Sequence, residues 1–277
     1  MAKELKKATL TKHNIDLCIA VMSSDSYNDI WPAFFDYWFA NSLFSSLPIY
    51  LITATKSYDD VRVKVINTPE SKDLSWSHRL VDGIQQIDHQ YILLLTEDLI
   101  CYAESDLKLI NEIYEFIASN DISCLRLVPS PCPDNKIFGN IGLLSDWRLY
   151  RVSLQASIWN KTSLLNILKI GETPWQFELF GTVRAKEYSG YFAVYYPVLH
   201  YAEIVGRGKL TRLGYKLLLA RNIPISREVY SIFGDIERKY HYLKSTIFYR
   251  MPVTIQRPLS LRTIDKWTKL QKQSKSK

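Results

Sequence analysis

Cysteine is scarce in this chain: Cys18, Cys101, Cys124 and Cys132 are the only four among 277 residues. They form no C-x-x-C pair and are too few for a disulfide framework at this length, so reduced thiols in a cytoplasmic protein are the expectation. Long apolar runs are also missing. Ile15–Met22 and Tyr91–Leu95 are strand-sized, well short of the roughly 18–20 residues that cross a bilayer. The basic start MAKELKKATLTKHN leads into only a short apolar run that contains Asp16, without a secretory core and cleavage site, so export is not expected. HExxH, Walker A, GxSxG and GxGxxG are all absent, which removes the signatures of zincins, P-loop NTPases, α/β-hydrolases and standard Rossmann dehydrogenases. No repeat of solenoid period occurs, and only the terminal KLQKQSKSK is of low complexity.

What is present is a globular composition, 47% hydrophobic and 23% charged, with a net charge of +7. That charge points to anionic partners, and its distribution narrows them. From Tyr242 onward nine Lys or Arg residues face one acid, Asp265, while the body is nearly balanced. The reading is therefore an N-terminal arm (1–14), a main domain (15–230) and a basic C-terminal extension (231–277).

Strand and helix signals alternate. Ile15–Met22, Ile49–Thr53, Val61–Ile66, Tyr91–Thr96 and Ser123–Val128 read as strands, short and near-continuously apolar, as in a mainly parallel sheet covered on both faces. Between them Asp29–Phe44, Ser77–Ile87 and a helix capped by Ser105 and ended by Asn120 read as helices. Further strands are expected at Tyr150–Trp159 and Tyr191–His200. The order predicts an α/β fold around a mainly parallel sheet.

Several residues could carry chemistry. Glu97-Asp98 follows the apolar strand Tyr91–Thr96, at the edge where open α/β sheets bind ligands, and hard carboxylate oxygens there suit Mg²⁺ or Mn²⁺; a turn or helix cap would use the same residues. Thr173-Pro174-Trp175-Gln176 is a capping box with proline in the first helical turn, and Glu178 follows it on a face shared with Gly181, Thr182 and Ala185, whose small side chains leave room for a ligand. His200 ends the aromatic strand and precedes Gly206-Arg207-Gly208-Lys209, so one metal ligand and two diphosphate contacts could come from this stretch. Ser23, Ser24 and Asp25 form a polar loop able to hold a base or ribose, and Trp76-Ser77 with Arg79 opens the helix before the acidic strand.

Taken in order, the Ser-Ser-Asp-Ser-Tyr loop, Trp76-Ser77, YILLLTED, PWQFE, and His200 with GRGK resemble bacterial GT-A-fold glycosyltransferases of cell-surface polysaccharide synthesis (capsule, O-antigen, lipopolysaccharide). The likeness covers about residues 15–220. It implies a GT-A-like, Rossmann-like fold and transfer of a sugar from a nucleotide-sugar donor, a UDP-sugar first, to a hydroxyl of a growing glycan or lipid-linked acceptor. It further implies Glu178 as the base of an inverting enzyme, Asp98 and His200 as ligands of Mn²⁺ or Mg²⁺ with Glu97 beside them, and Arg207 and Lys209 on the diphosphate. The first-strand loop would hold the nucleotide. The usual Asp-x-Asp stands here as Glu97-Asp98-Leu99, which leaves a metal-independent enzyme using Arg and Lys as an alternative.

Two other classes compete. A basic nucleic-acid-binding protein would interleave cations with aromatics on one surface, but no nucleic-acid module is recognisable and no nucleic acid is expected. A catalytically inactive sugar-binding protein of the same fold is the other. The basic extension suits a peripheral site on the anionic inner face of the cell membrane.

Overall fold

The computed structural model describes residues 15–274 except 72, 73, 207, 232, 233, 235, 237–239, 241, 242, 244–246, 249 and 250; the expected arm 1–14 and Arg207 therefore lie outside the described residues. At the centre is β1 (Leu17–Met22), paired in parallel with β2 (Ile49–Thr53) on one side and β4 (Tyr91–Thr96) on the other. Outside β2 lies parallel β3 (Val63–Asn67). Beyond β4 come β9 (Ser157–Asn160), β6 (Cys124–Arg126), β10 (Tyr191–Val194), β8 (Ile141–Leu143) and β7 (Asn135–Phe138), completing a nine-stranded sheet. Only β8 and β9 run against the others, so the fold is α/β around a mixed sheet with most strands in one direction.

The alternation of side chains divides the core between two faces. Leu17, Ile19 and Val21 of β1 pack with Leu93 and Leu95 against α1 (Trp31–Asn41) and α3 (Leu107–Ser119). Cys18, Ala20 and Met22 pack with Ile92 and Leu94 toward α2 (Trp76–Gln85), α4 (Lys161–Ile167) and α5 (Pro174–Arg184). Residues buried on both faces explain why these strands read as unbroken apolar runs. Cys18, Cys101 and Cys124 are buried and all four thiols are free. Burial of Cys18 pushes its thiol up to about 12, which makes it an inert packing group.

A second, two-stranded ladder pairs β5 (Leu99–Ala103) with antiparallel β11 (His200–Glu203), and β12 (Val205–Gly206) with β13 (Lys209–Leu210) makes a small hairpin before α6 (Arg212–Ala220). The C-terminal extension includes a long helix, α7 (Val253–Ser274), packed against α5. Gln256, Ser260, Ile264 and Trp267 form its buried stripe, and Arg148 donates to Gln256 Oε1 at 2.5 Å.

Several expected boundaries move. The strand expected over Tyr150–Trp159 is confined to Ser157–Asn160. Tyr150 has φ of 55°, and the carbonyls of Tyr150 and Arg151 are taken by the buried Arg126 guanidinium at 2.9 and 3.0 Å, so this apolar stretch is a packed loop. The strand expected over Tyr191–His200 ends at Val194, because Pro197 lacks the N–H a ladder needs; His200 starts a different sheet. Val61 falls outside β3 and is fully exposed. The caps of α2 and α3 are Ser75 and Asp106, whose side chains accept the first-turn amides of His78 and Lys108, in place of a start at Ser77 and a cap at Ser105.

Candidate active site

The register brings the candidate residues to one edge. Met22 is aligned with Thr96, so the chain leaves β1 at Ser23 and β4 at Glu97 side by side on the carboxyl edge of the parallel strands, where open α/β sheets take ligands. Because β9 runs the other way, its first residue, Ser157, aligns with Leu94 of β4 and Arg126 of β6, and loop 150–156 arrives at that same edge.

Ser23 is buried; its hydroxyl accepts the Trp31 indole N–H at 2.7 Å and hydrogen-bonds the Glu97 carboxyl. Burial, with Asp98 beside it, pushes Glu97 up to about 8, so near neutral pH Glu97 is mainly the neutral acid. Asp98 accepts the Thr96 hydroxyl at 2.7 Å, and its carbonyl holds the Ile204 amide at 2.9 Å. Ser24 caps a short helical turn by accepting from Ser26. Asp25 is committed to structure: its carboxylate accepts the amides of Ala54, Thr55 and Lys56 and the Thr55 hydroxyl at 2.6 Å. Burial alone would raise that carboxyl, but these bonds outweigh it and hold Asp25 below the usual range. Asp25 thus ties the loop after β1 to the loop after β2 and has little left for a nucleotide.

The second group surrounds α5. Thr173 and Gln176 make the expected capping box, with the Gln176 amide at 3.3 Å from Thr173 Oγ1 and Gln176 Oε1 accepting the Thr173 amide at 2.9 Å. Glu178 turns inward and accepts the Leu154 amide at 2.9 Å, with Ser153 also on its carboxyl. Burial raises Glu178 above the usual carboxylate range against the opposing pull of those bonds and of Arg126. The small residues beside it serve packing: a Cβ on Gly181 would stand 2.9 Å from Val152 Cγ1, Ala185 is fully buried, and Thr182 Oγ1 accepts the Val152 amide. The space expected beside Gly181 is filled by Val152 of loop 150–156, while the half-buried Glu178 keeps part of its side chain at the surface.

Ser77 is likewise structural, its hydroxyl accepting the Glu172 amide at 2.9 Å, and Trp76 packs 5.5 Å from Phe177. Arg79 differs, since its Nε is buried and has no hydrogen-bond partner among the described residues. Lys209 pairs with Glu228 at 2.8 Å on the surface, an exposed and weakly held pair.

His200 does not join Asp98. In the β5–β11 ladder His200 stands opposite Ala103 while Glu203 stands opposite Leu99, so His200 and Asp98 are about 15 Å apart along the strands at strand rise, more than two side chains can close around one ion. Among the described residues no group of three or more His, Cys, Asp or Glu converges to hold a metal. Asp98 alone still fits Mg²⁺ or Mn²⁺ bound by one carboxylate and substrate phosphates.

Residues the sequence reading passed over complete the edge. Tyr201 is half-buried and donates to Gln155 Oε1 at 2.5 Å, Gln155 donates to Glu203 at 2.9 Å, and the charges of Asp98, Glu203 and Arg126 all act on the Tyr201 phenol. Glu203 and Arg126 act in turn on Glu178. The hydrogen-bonded trio Tyr201, Gln155 and Glu203 therefore lies within electrostatic reach of both Asp98 and Glu178. Arg227 closes the other flank, with two bonds to Asp29, one to the Ser26 carbonyl, and its guanidinium 4.3 Å from the Tyr27 ring centre. The available signals were an arginine inside the apolar run Cys124–Val128 and the Tyr and Glu that flank Ala202.

No family model matches the chain, and no curated protein matches its sequence. Solved structures share part of its path. S. aureus TarS 1-349 in complex with UDP-GlcNAc is 7% identical with a TM-score of 0.42, covering 65% of this chain and 58% of its own. A nucleotidyl transferase from Methanothermobacter thermautotroptrophicus is 13% identical at 0.40, covering 66% and 87%. The apo-form glycosyltransferase GlyE of Streptococcus pneumoniae TIGR4 is 10% identical at 0.36, covering 88% and 53%. The chain thus spans less than two thirds of TarS 1-349. At these identities and scores the likenesses decide neither activity nor substrate.

Proposed function

We propose that the chain is a glycosyltransferase that moves a sugar from a nucleoside diphosphate donor to an acceptor hydroxyl with inversion. The observation that supports this reading is the pairing, on one sheet edge, of the Glu97-Asp98 turn with a half-buried, raised carboxylate at Glu178. The donor diphosphate belongs at the β1 and β4 ends, with Arg79 as a cation that still has a donor to give and Lys209 released from its surface pair. Asp98 would hold a divalent ion against the donor phosphates; such an ion would offset the charge that develops as the diphosphate leaves.

Glu178 acts as general base. Its carboxylate takes the proton of the acceptor hydroxyl as that oxygen bonds to the anomeric carbon, and the bond from that carbon to the diphosphate oxygen breaks with its electron pair. One carboxylate suffices for a single displacement, and a raised pKa makes it a stronger base near neutral pH. The Leu154 amide orients it, and the Arg126 charge favours its ionised form. By the same reading the acceptor is a growing surface glycan or its lipid-linked precursor.

The test is a donor screen with the full chain, scoring thermal stabilisation and hydrolysis by UDP-, GDP-, CMP- and dTDP-sugars with and without Mn²⁺. A bound donor at 100 times its Kd stabilises by about 2.7 kcal/mol. Stabilisation by a sugar nucleotide, with an inverted product once an acceptor is supplied, is expected. No stabilisation by any donor, or a retained anomeric configuration, refutes it.

A further inference from the structure

Helix α7 has two faces with different fates. Gln256, Ser260, Ile264 and Trp267 recur at helical spacing and are buried at 2%, 1%, 0% and 8% exposure, which fixes the helix on α5 and loop 150–156. Ile255, Leu259, Arg262, Lys266 and Leu270 recur at the same spacing on another face and point to solvent, with Ile255 49% and Leu259 41% exposed. Lys269 and Arg257 are exposed as well.

A second apolar stripe precedes it. Ile236, Tyr240, Leu243 and Ile247 are helical residues at steps of four, three and four, exposed at 56%, 62%, 57% and 51%. Scattered exposed leucines are ordinary, but two sets of exposed apolar residues at helical spacing within one segment of the chain are not.

We propose that these stripes seat the protein on an anionic lipid bilayer. The aliphatic side chains would enter the interface while the flanking lysines and arginines meet the headgroups, as in an amphipathic helix lying in the membrane plane. Charge complementarity selects this occupant. A second copy of the chain would set the basic stripe against itself. A nucleic acid would match the charge but leave Ile255, Leu259, Leu243 and Ile247 without base-stacking partners. No helix among the described residues is long and apolar enough to cross the bilayer, so the association is peripheral. This proposal stands on the surface alone and holds whether or not the chain transfers sugars.

The test is flotation of the full chain with phosphatidylcholine vesicles and with vesicles in which about a third of the lipid is phosphatidylglycerol, at low and physiological salt. Binding to the anionic vesicles alone, weakened by salt, is expected. Replacing Arg262, Lys266 and Lys269 together by Gln should weaken partitioning on the order of 10²-fold at roughly fivefold per charge. Leu259→Ser with Ile255→Ser should weaken it with every charge in place. These side chains are exposed, so the melting temperature should not move. Equal binding to neutral and anionic vesicles overturns the proposal, as does undiminished binding by the triple-Gln protein. So does a failure to float accompanied by RNA binding, or by a concentration-dependent dimer that Leu259→Ser dissolves. Should a variant fail to fold, the lipid and salt dependence of the unmodified chain decides.

Discussion

Glu178→Gln should damage turnover and improve stability in the same molecule. The Gln side chain keeps the shape and an acceptor for the Leu154 amide, which stands 2.9 Å from Glu178 Oε1, but it cannot take a proton. Loss of a general base from an otherwise intact site lowers the chemical step roughly 10²–10⁴-fold, with donor affinity nearly unchanged. Stability moves the other way. Burial raises the folded-state carboxyl above its unfolded value, so the folded protein binds the extra proton between the two pKa values. The stability due to that proton is fully present below the unfolded pKa and is lost as pH rises through the folded one. Each unit of elevation corresponds to about 1.4 kcal/mol, and a domain of this size converts 1 kcal/mol into roughly 2–4 °C.

Melting curves of the two proteins from pH 4 to 8 should therefore meet at the acidic end and separate upward, with Glu178→Gln the more stable at neutral pH. Wild-type turnover should rise over the same interval as Glu178 loses its proton. A variant that turns over normally, or one that melts below wild type at pH 7.5 while matching it at pH 4, refutes the assignment of Glu178 as a half-buried base.

Three further outcomes are expected. Asp98→Asn should abolish metal-dependent donor binding, measured by titration calorimetry, while His200→Ala leaves it within a fewfold; equal losses would mean that the two residues share an ion after all. Arg79→Gln should weaken donor binding without lowering the melting temperature, since the Arg79 Nε has no partner to lose, and unchanged affinity would remove Arg79 from the site. Gly181→Val should overfill the contact with Val152 and cost roughly 1–3 kcal/mol by denaturant unfolding, and it should slow turnover because the helix that carries Glu178 must shift; wild-type stability would contradict the close packing.

The parallel half of the sheet was legible because its strands are buried on both faces, which leaves an unbroken apolar run such as Tyr91–Leu95. The α5 start was legible because its cap is local chemistry: Thr173, Pro174 and Gln176 carry the signal in four residues. What misled was burial without regular structure. Tyr150–Ala156 is apolar enough to read as a strand, yet its backbone groups are satisfied by Arg126, Glu178 and Thr182, all far away in sequence. Small residues misled in the same way, since Gly181 and Ala185 could read as an opening when they permit contact. His200 drew attention as a ligand type, whereas the ladder register gives Tyr201 and Glu203 the places near Asp98.

Tyr150 sets two preferences against each other. Its φ of 55° is a conformation that suits glycine or asparagine, and a bulky residue held there stores on the order of 1–3 kcal/mol. Yet its ring meets Trp267 at 5.5 Å, and its carbonyl, turned inward by that same backbone, receives the buried Arg126 guanidinium. A glycine would relax the main chain and forfeit the grip on the C-terminal helix; a tyrosine keeps the grip and leaves the main chain under tension. The joint thus behaves as a sprung catch between the outermost helix and the charge beside Glu178, tightened from outside the sheet by a side chain that lies 117 positions further along the chain.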